Sequence, residues 1–478
     1  MSDAIAKRLH DFWQRRRTSF LPFADVATDE LPLGRIMRLS LFQFSVGMAL
    51  VLVTGTLNRV MIVELNVPAW FVALMIALPV IFAPLRALIG FRSDVHESAF
   101  GWRRVPFIWV GTLLQWGGLA IMPFALLVLS GTGVGPVIYG QLGAGLAFLL
   151  VGAGVHTTQT AGLALASDLA RPDLRPRIVA LLFVMLLIGM FVSAIAFGWL
   201  LIDYNPIRLI RVVQGAAVVT LVLNVISLWK QEPRDLAERV GRTTKTRFRD
   251  AWRELRADPR AMRMLVALGL GTAGFTMQDI LLEPFGAQIL GLSVSSTTGL
   301  TALLAGGMLM AFALSANRLS NGMDPHRLAA YGALVGIFAF AIVALVGVFK
   351  FVALFRLGVL MIGFGGGLFA VGTLTAAMAL AKAGNSGLAL GAWGAVQATA
   401  TGLAMAGGGA LRDIVSGFAS NGSLGTALTG PAVGYAFVYN VEVLFLFATL
   451  VAIGPLAAFS RRSEADGNKR FGLAEFPS

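Results

Sequence analysis

Apolar residues run along this chain in blocks of about twenty, the length a helix needs to cross the hydrocarbon core of a bilayer. Charged residues are largely confined to the gaps. Twelve blocks are legible: residues 39–63, 68–89, 105–129, 136–163, 178–202, 209–229, 264–289, 294–316, 327–346, 353–380, 387–411 and 431–459. The first is too long for the apolar region of a cleavable signal and lacks a small-residue cleavage site, so it is expected to stay in the membrane. The pattern predicts an all-α integral membrane protein.

Six blocks end at Trp229, and six more follow a charged stretch, Lys230–Arg263, with eleven basic and six acidic residues. The expected divisions are a cytoplasmic basic segment 1–38, a six-helix bundle 39–229, a linker 230–263, a second bundle 264–460 and a tail 461–478. Within the first segment Ile5, Leu9, Phe12 and Trp13 fall at helical spacing among Lys7, Arg8 and Arg15–Arg17. That is the pattern of an amphipathic helix lying on a membrane surface. Residues 91–106 read FRSDVHESAFGWRRVP. With Gly90 ahead of it, the set Asp94, Gly101, Arg103 and Arg104 resembles the loop between helices two and three of major facilitator transporters. Here the loop is four residues longer, and Val95 stands where an Arg is usual. The six-plus-six division is also the organisation of that fold. A short echo links the halves: Thr56-Leu57-Asn58-Arg59 matches Thr276-Met277-Gln278-Asp279 by type, with the final charge reversed.

Composition agrees. The chain is 57% hydrophobic and 13% charged, about half the charge of a soluble domain. With a cytoplasmic N-terminus, 32 of the 38 Lys and Arg fall on the cytoplasmic side, the exceptions being Arg59, Arg208, Arg211, Lys350, Arg356 and Arg412. Both termini are therefore expected to be cytoplasmic. The net charge of +13 reads as a topology signal and a preference for anionic lipid, with no nucleic-acid partner. The lack of cysteine excludes disulfides, thiolate nucleophiles and iron–sulfur ligation. No phosphate-binding Gly-rich loop, paired Asp-rich motif or metal-spaced His/Asp/Glu cluster is present, so neither catalysis nor a metal cofactor is expected.

An ionisable group at bilayer depth costs at least ~2.5 kcal/mol, so each one asks for a reason. The candidates are Arg59, His156, Asp279, Glu283 and Glu442. Asp279 and Glu283 are four apart, on one face of a continuous helix, and at about the depth of Arg59. The expectation is that Arg59 pairs with one of them between the halves. A static bridge, a gating bridge and a proton-coupling carboxylate all remain open. On the cytoplasmic side, Asp94 with Arg103 and Arg104, and Asp168 with Arg171, Arg175 and Arg177, form latches that are structural or gating. His156, the one histidine inside a span, is either a hydrogen-bonded core histidine or an axial ligand for the magnesium of a chlorin ring, supported by Gln159. Glycines cluster at Gly363, Gly365–Gly367 and Gly407–Gly409. They imply tight helix packing or a slot for a flat ligand.

Several segments carry a more specific resemblance: residues 38–50 (RLSLFQFSVGMAL), 57–65 (LNRVMIVEL), 68–70 (PAW), 86–94 (RALIGFRSD), 156–168 (HTTQTAGLALASD) and 278–286 (QDILLEPFG). Together they resemble the PucC/LhaA proteins, the bacteriochlorophyll delivery family of photosynthetic bacteria. The length and basic N-terminal extension are more similar to the LhaA subgroup, which serves the core antenna LH1. The resemblance implies an assembly factor in the bacterial inner, intracytoplasmic photosynthetic membrane. Its partners would be light-harvesting antenna polypeptides, and its cargo bacteriochlorophyll. Such a carrier needs an apolar, laterally open groove with one or two polar anchors. A secondary transporter coupling protons through Asp279 or Glu283, and a structural antenna partner that binds no pigment, are the alternatives.

Overall fold

Three helices begin at an Asn-Pro or Asp-Pro pair. The side-chain oxygen of Asn205, Asp258 or Asp324 accepts a first-turn backbone N–H, from Arg208, Arg260 and His326 respectively. The proline that follows has no N–H to leave unsatisfied. Such caps fix the helix starts a few residues ahead of the apolar blocks, because a capped first turn can be polar and reach the headgroup region.

The computed structural model describes residues 31–79, 102, 104–131, 133, 135–170, 174–232, 258–380 and 386–465. Most of segment 1–38, the loop carrying Asp94 and Arg103, most of the linker and the end of the tail lie outside the described residues. Twelve helices are seen among those described. The first six are α1 (Leu33–Val63), α2 (Ala69–Ala77), α3 (Val105–Leu129), α4 (Val137–Leu169), α5 (Arg175–Leu200) and α6 (Pro206–Leu228). The second six are α7 (Pro259–Gln288), α8 (Val294–Ser320), α9 (Pro325–Phe349), α10 (Val352–Leu380), α11 (Ser386–Ser420) and α12 (Ala432–Ala465). Ten of them, all but α2 and α11, have the length and hydropathy to span a membrane over their described residues. No strand occurs among the described residues.

The helices form two six-helix bundles. In the first, α3 packs most extensively on α4; in the second, α9 and α8 both pack on α10, and α9 on α12. The bundles meet along α5–α8 and α2–α11, and one apolar core runs through both. Two helices are irregular. α1 carries a π-helical segment, Val51–Leu57, and α7 a 3₁₀ turn, Met277–Ile280. The four-residue echo lies on these two breaks, which mark the facing helices of the two bundles.

The glycine clusters differ in how closely they are packed. Gly363 lies against the backbone of Leu304 on α8, Gly365 against the backbone of Gly332 and Gly336 on α9, and Gly367 against Met308 and Ala311. Helix α10 is thus wedged between α8 and α9, where only a missing side chain lets the backbones approach. On α11, Gly408 meets Met277 and Gly409 meets Ala69 and Ala73 of α2, but nothing lies near Gly407. Gly363→Val is expected to destabilise by about 1–3 kcal/mol through overpacking. Gly407→Val should leave the thermal unfolding midpoint of the detergent-solubilised protein unchanged.

Candidate functional site

The two irregular segments face each other across the bundle interface. Asn58, the first residue after the π segment, donates from Nδ2 to the carbonyl of Ile280 at 2.8 Å, at the end of the 3₁₀ turn. Thr56 and Thr298 share a hydroxyl–hydroxyl bond at 3.2 Å. Gly55 leaves room for the Glu283 carboxylate, which accepts from the Thr301 hydroxyl at 2.7 Å and is 2% exposed. Towards the end of the bundles remote from the termini, the Trp70 backbone N–H on α2 donates to Asp413 on α11 at 2.8 Å. Among the described residues, these inter-bundle bonds all lie in the half of the molecule away from the termini, so that half is closed.

The expected pairing of Arg59 with Asp279 or Glu283 is not formed. Arg59 instead bonds Glu64 at 2.5 Å, and its second terminal nitrogen reaches the Leu292 carbonyl at 3.5 Å. Glu64 is just past the end of α1 and 37% exposed, so it keeps much of its hydration while neutralising Arg59. Recruiting buried Glu283 would desolvate a second charge completely. Tyr204, in the turn between α5 and α6, packs against the same pair. Burial raises its hydroxyl above the ordinary phenol range; neighbouring Glu64 adds to the rise and Arg59 opposes it. Asp279 and Glu283 do not share one helical face either. The 3₁₀ turn intervenes, so Asp279 takes its hydrogen bond from the neighbouring Gln278 side chain, while Glu283 turns to Thr301.

The break in α7 has a second consequence. Where the chain leaves the α-helical path, the backbone N–H of Gln278 donates to Glu442 of α12 at 2.6 Å. Glu442 is fully buried, as is Tyr439 one turn before it. Tyr439 is fixed by edge contact with Phe285 and stacking on Phe340. Glu442 was visible in the sequence as a lone acid, but its partner is a backbone group that no residue pattern reveals.

Two polar clusters brace the ends. Remote from the termini, the Arg412 guanidinium bonds Asp413 and Gln288 at 2.6 Å each and Tyr435 at 3.1 Å, tying α11 to α7 and α12. At the terminus end, Arg104 bonds Asp168 at 3.0 Å, and Glu232 accepts from the backbone of Arg104 and Val105 at 3.0 Å, capping α3. These bonds join parts of the first bundle: α3, the end of α4 and the segment after α6. Asp94, Arg103 and Arg171 lie outside the described residues.

His156 is half-buried on α4 within the first bundle. Nearby, Gln115 donates to Thr158 at 2.9 Å, and Gln159 donates to Gln43 of α1 at 3.4 Å. Further along the same bundle, Ser45 donates to Asn224, which donates to Thr112. These bonds link α1, α3, α4 and α6 in pairs. A cavity lies elsewhere among the described residues, and neither His156 nor Gln159 lines it. That cavity is a groove of about 620 Å³ between α7, α11 and α12, lined by Ala273, Met277, Leu403, Gly407 and Phe445, with Thr399 as its hydroxyl. Leu403 is 70% exposed, so the groove is open at the surface of the bundle.

Twelve helices in two bundles make this a multi-pass bacterial membrane protein with the major facilitator fold. The backbone resembles a bacterial homologue of the iron transporter ferroportin in an inward-facing state, with a TM-score of 0.65 and 14% identity over 89% of this chain and 99% of that one. The family described as PUCC protein matches residues 56–460, and the chain belongs to it. It is 54% identical to an uncharacterised protein of the puhA-bchM intergenic region in Rhodobacter capsulatus, covering 96% of this chain and 97% of that protein. It is 57% identical to the protein PucC of Rhodovulum sulfidophilum, covering 80% and 85%. The family is not one of enzymes.

A double-mutant cycle on thermal unfolding tests the reassigned ion pair. Arg59 and Glu64 should couple by about 1 kcal/mol, as expected of a half-exposed pair. Arg59 and Asp279 should couple by less than about 0.5 kcal/mol.

Proposed function

We propose that this protein is an assembly factor for the bacterial light-harvesting antenna, serving the core complex LH1, and that it carries bacteriochlorophyll by its apolar tail. The groove between α7, α11 and α12 is the observation that carries this reading. It is apolar but for Thr399 and open at the bundle surface beside Leu403, which in a membrane-spanning bundle we read as an opening to lipid. An amphiphile already dissolved in the bilayer can enter it sideways, which an aqueous solute cannot. The name of the Rhodovulum relative supports the same direction.

In this reading the termini are cytoplasmic, where the basic residues meet anionic lipid, and the closed half faces the periplasm. His156 and Gln159 stand in the first bundle as a separate candidate contact for the magnesium ring. The antenna polypeptides are the recipients.

Glu283 supports a second reading, a proton-coupled transporter, because it is a buried carboxylate on the seam between the bundles. Proteoliposomes distinguish it: Glu283→Gln or Asp279→Asn would then abolish proton-driven uptake while antenna assembly continued.

The decisive experiment is the absorption spectrum and solvent extract of the protein purified in mild detergent from a pigment-making host without antenna polypeptides. Near-stoichiometric bacteriochlorophyll is expected. Gly407→Trp should lower the pigment several-fold at an unchanged melting temperature, and His156→Leu should do so if the ring is ligated there. A colourless, folded wild-type protein would overturn pigment carriage and leave a chaperone of the polypeptide alone.

A further inference from the structure

We propose that Glu442, Gln278 and Tyr439 form a binding site for one monovalent cation, a proton or a sodium ion, at the break in α7. This does not rest on the pigment reading.

Three oxygens carry the argument. Glu442 Oε1 is occupied by the Gln278 backbone N–H, but Glu442 Oε2 is buried with no hydrogen-bond partner. The Gln278 side chain donates from Nε2 to the Phe275 carbonyl and to Asp279, which leaves its Oε1 buried and unpartnered as well. The Tyr439 hydroxyl is a third buried oxygen without a partner, three residues from Glu442 on the same face of α12. All three side chains are at most 1% exposed. Buried polar atoms are rarely left unpaired, and unpartnered oxygens on both sides of the α7–α12 contact, one of them a carboxylate's, leave acceptors that a cation can complete.

Charge leads to the same conclusion. An ionised carboxylate enclosed by protein at bilayer depth needs a counter-charge. The charged group within electrostatic reach of Glu442 is Asp279, another acid, and Tyr439 is the titratable neighbour on its own helix. Helix α9 presents Phe340 towards Tyr439. Arg412 of α11 is committed two turns away, to Asp413, Gln288 and Tyr435. No lysine or arginine neutralises Glu442 among the described residues, and a cation bound from outside would supply the missing charge. A proton on Oε2 would donate to Gln278 Oε1 or to the Tyr439 hydroxyl. A sodium ion would be ligated by the same oxygens.

The break gives the site a consequence. Glu442 supplies the acceptor that the interrupted α7 ladder no longer provides, so occupancy of the site bears directly on the segment whose Ile280 carbonyl holds Asn58 of the opposite bundle.

Infrared spectroscopy of the full chain in lipid nanodiscs, with sodium or choline chloride, tests the proposal. If the occupant is a proton, the wild type shows a protonated-carboxyl band at neutral pH that Glu442→Gln removes and sodium does not alter. If it is sodium, the ion erases that band and raises the wild-type melting temperature, and E442Q responds to neither salt. Glutamine keeps the acceptor for Gln278 N–H and mimics a neutral acid, so E442Q is expected to fold. Should it not, Tyr439→Phe carries the test: losing one oxygen ligand should weaken cation binding about tenfold. Identical wild-type and E442Q spectra with no sodium response would overturn the site, as would Y439F titrating like the wild type.

Discussion

The contact between the Gln278 N–H and the Glu442 carboxyl is what the second bundle is arranged around. In the bilayer core no water is present to satisfy a backbone donor, so a spanning helix can stop being helical only where another part of the protein supplies the missing acceptor. Helix α12 supplies it from a fully buried side chain. The break it permits sets the direction of everything after it. Gln278 and Asp279 turn towards α12, Ile280 offers its carbonyl to Asn58, and Glu283 emerges at the seam beside Thr301. Across that seam the π segment of α1 provides the complementary irregularity, and Gly55 the space. The two bundles are joined at their least regular turns.

Glycine placement explains why one side of the second bundle is solid and the other is not. The α10 glycines admit α8 and α9 to backbone contact. On α11 the same residue type does two jobs in three positions: Gly408 and Gly409 seat the helix against Met277 and α2, while Gly407 turns outward and floors the groove. A tight bundle interface and an open lateral slot are therefore built from adjacent residues of one helix.

The fold was readable because lipid imposes a coarse rule. Long apolar blocks, their number and the charged interruption at Lys230–Arg263 suffice to specify two six-helix bundles. The site was less readable, for physical reasons that differ by residue. Glu64, five positions after Arg59, lies just beyond the apolar block 39–63, so hydrophobic patterning alone does not mark it as a partner for a residue at bilayer depth. Asp279 and Glu283 would share a face only on a continuous helix, and neither a 3₁₀ turn nor a π segment has a composition that announces it. Glu442 stood out as an acid in an apolar block, yet its partner is main chain. The four-residue echo at Thr56–Arg59 and Thr276–Asp279 was the one sequence trace of the breaks. Its reversed final charge also has an explanation: Arg59 is answered by an acid from the water-facing end of its own helix, and Asp279 by an amide beside it.

A groove that faces lipid is never vacant. In the proposed reading, acyl chains of the surrounding bilayer would fill the slot beside Leu403 and Gly407 whenever nothing else does, so a guest would enter by exchange with a resident lipid. Loading then depends on two-dimensional encounter within the leaflet and on how well the local lipids fit the slot. The thickness and unsaturation of the host membrane become parameters of the protein's own binding equilibrium.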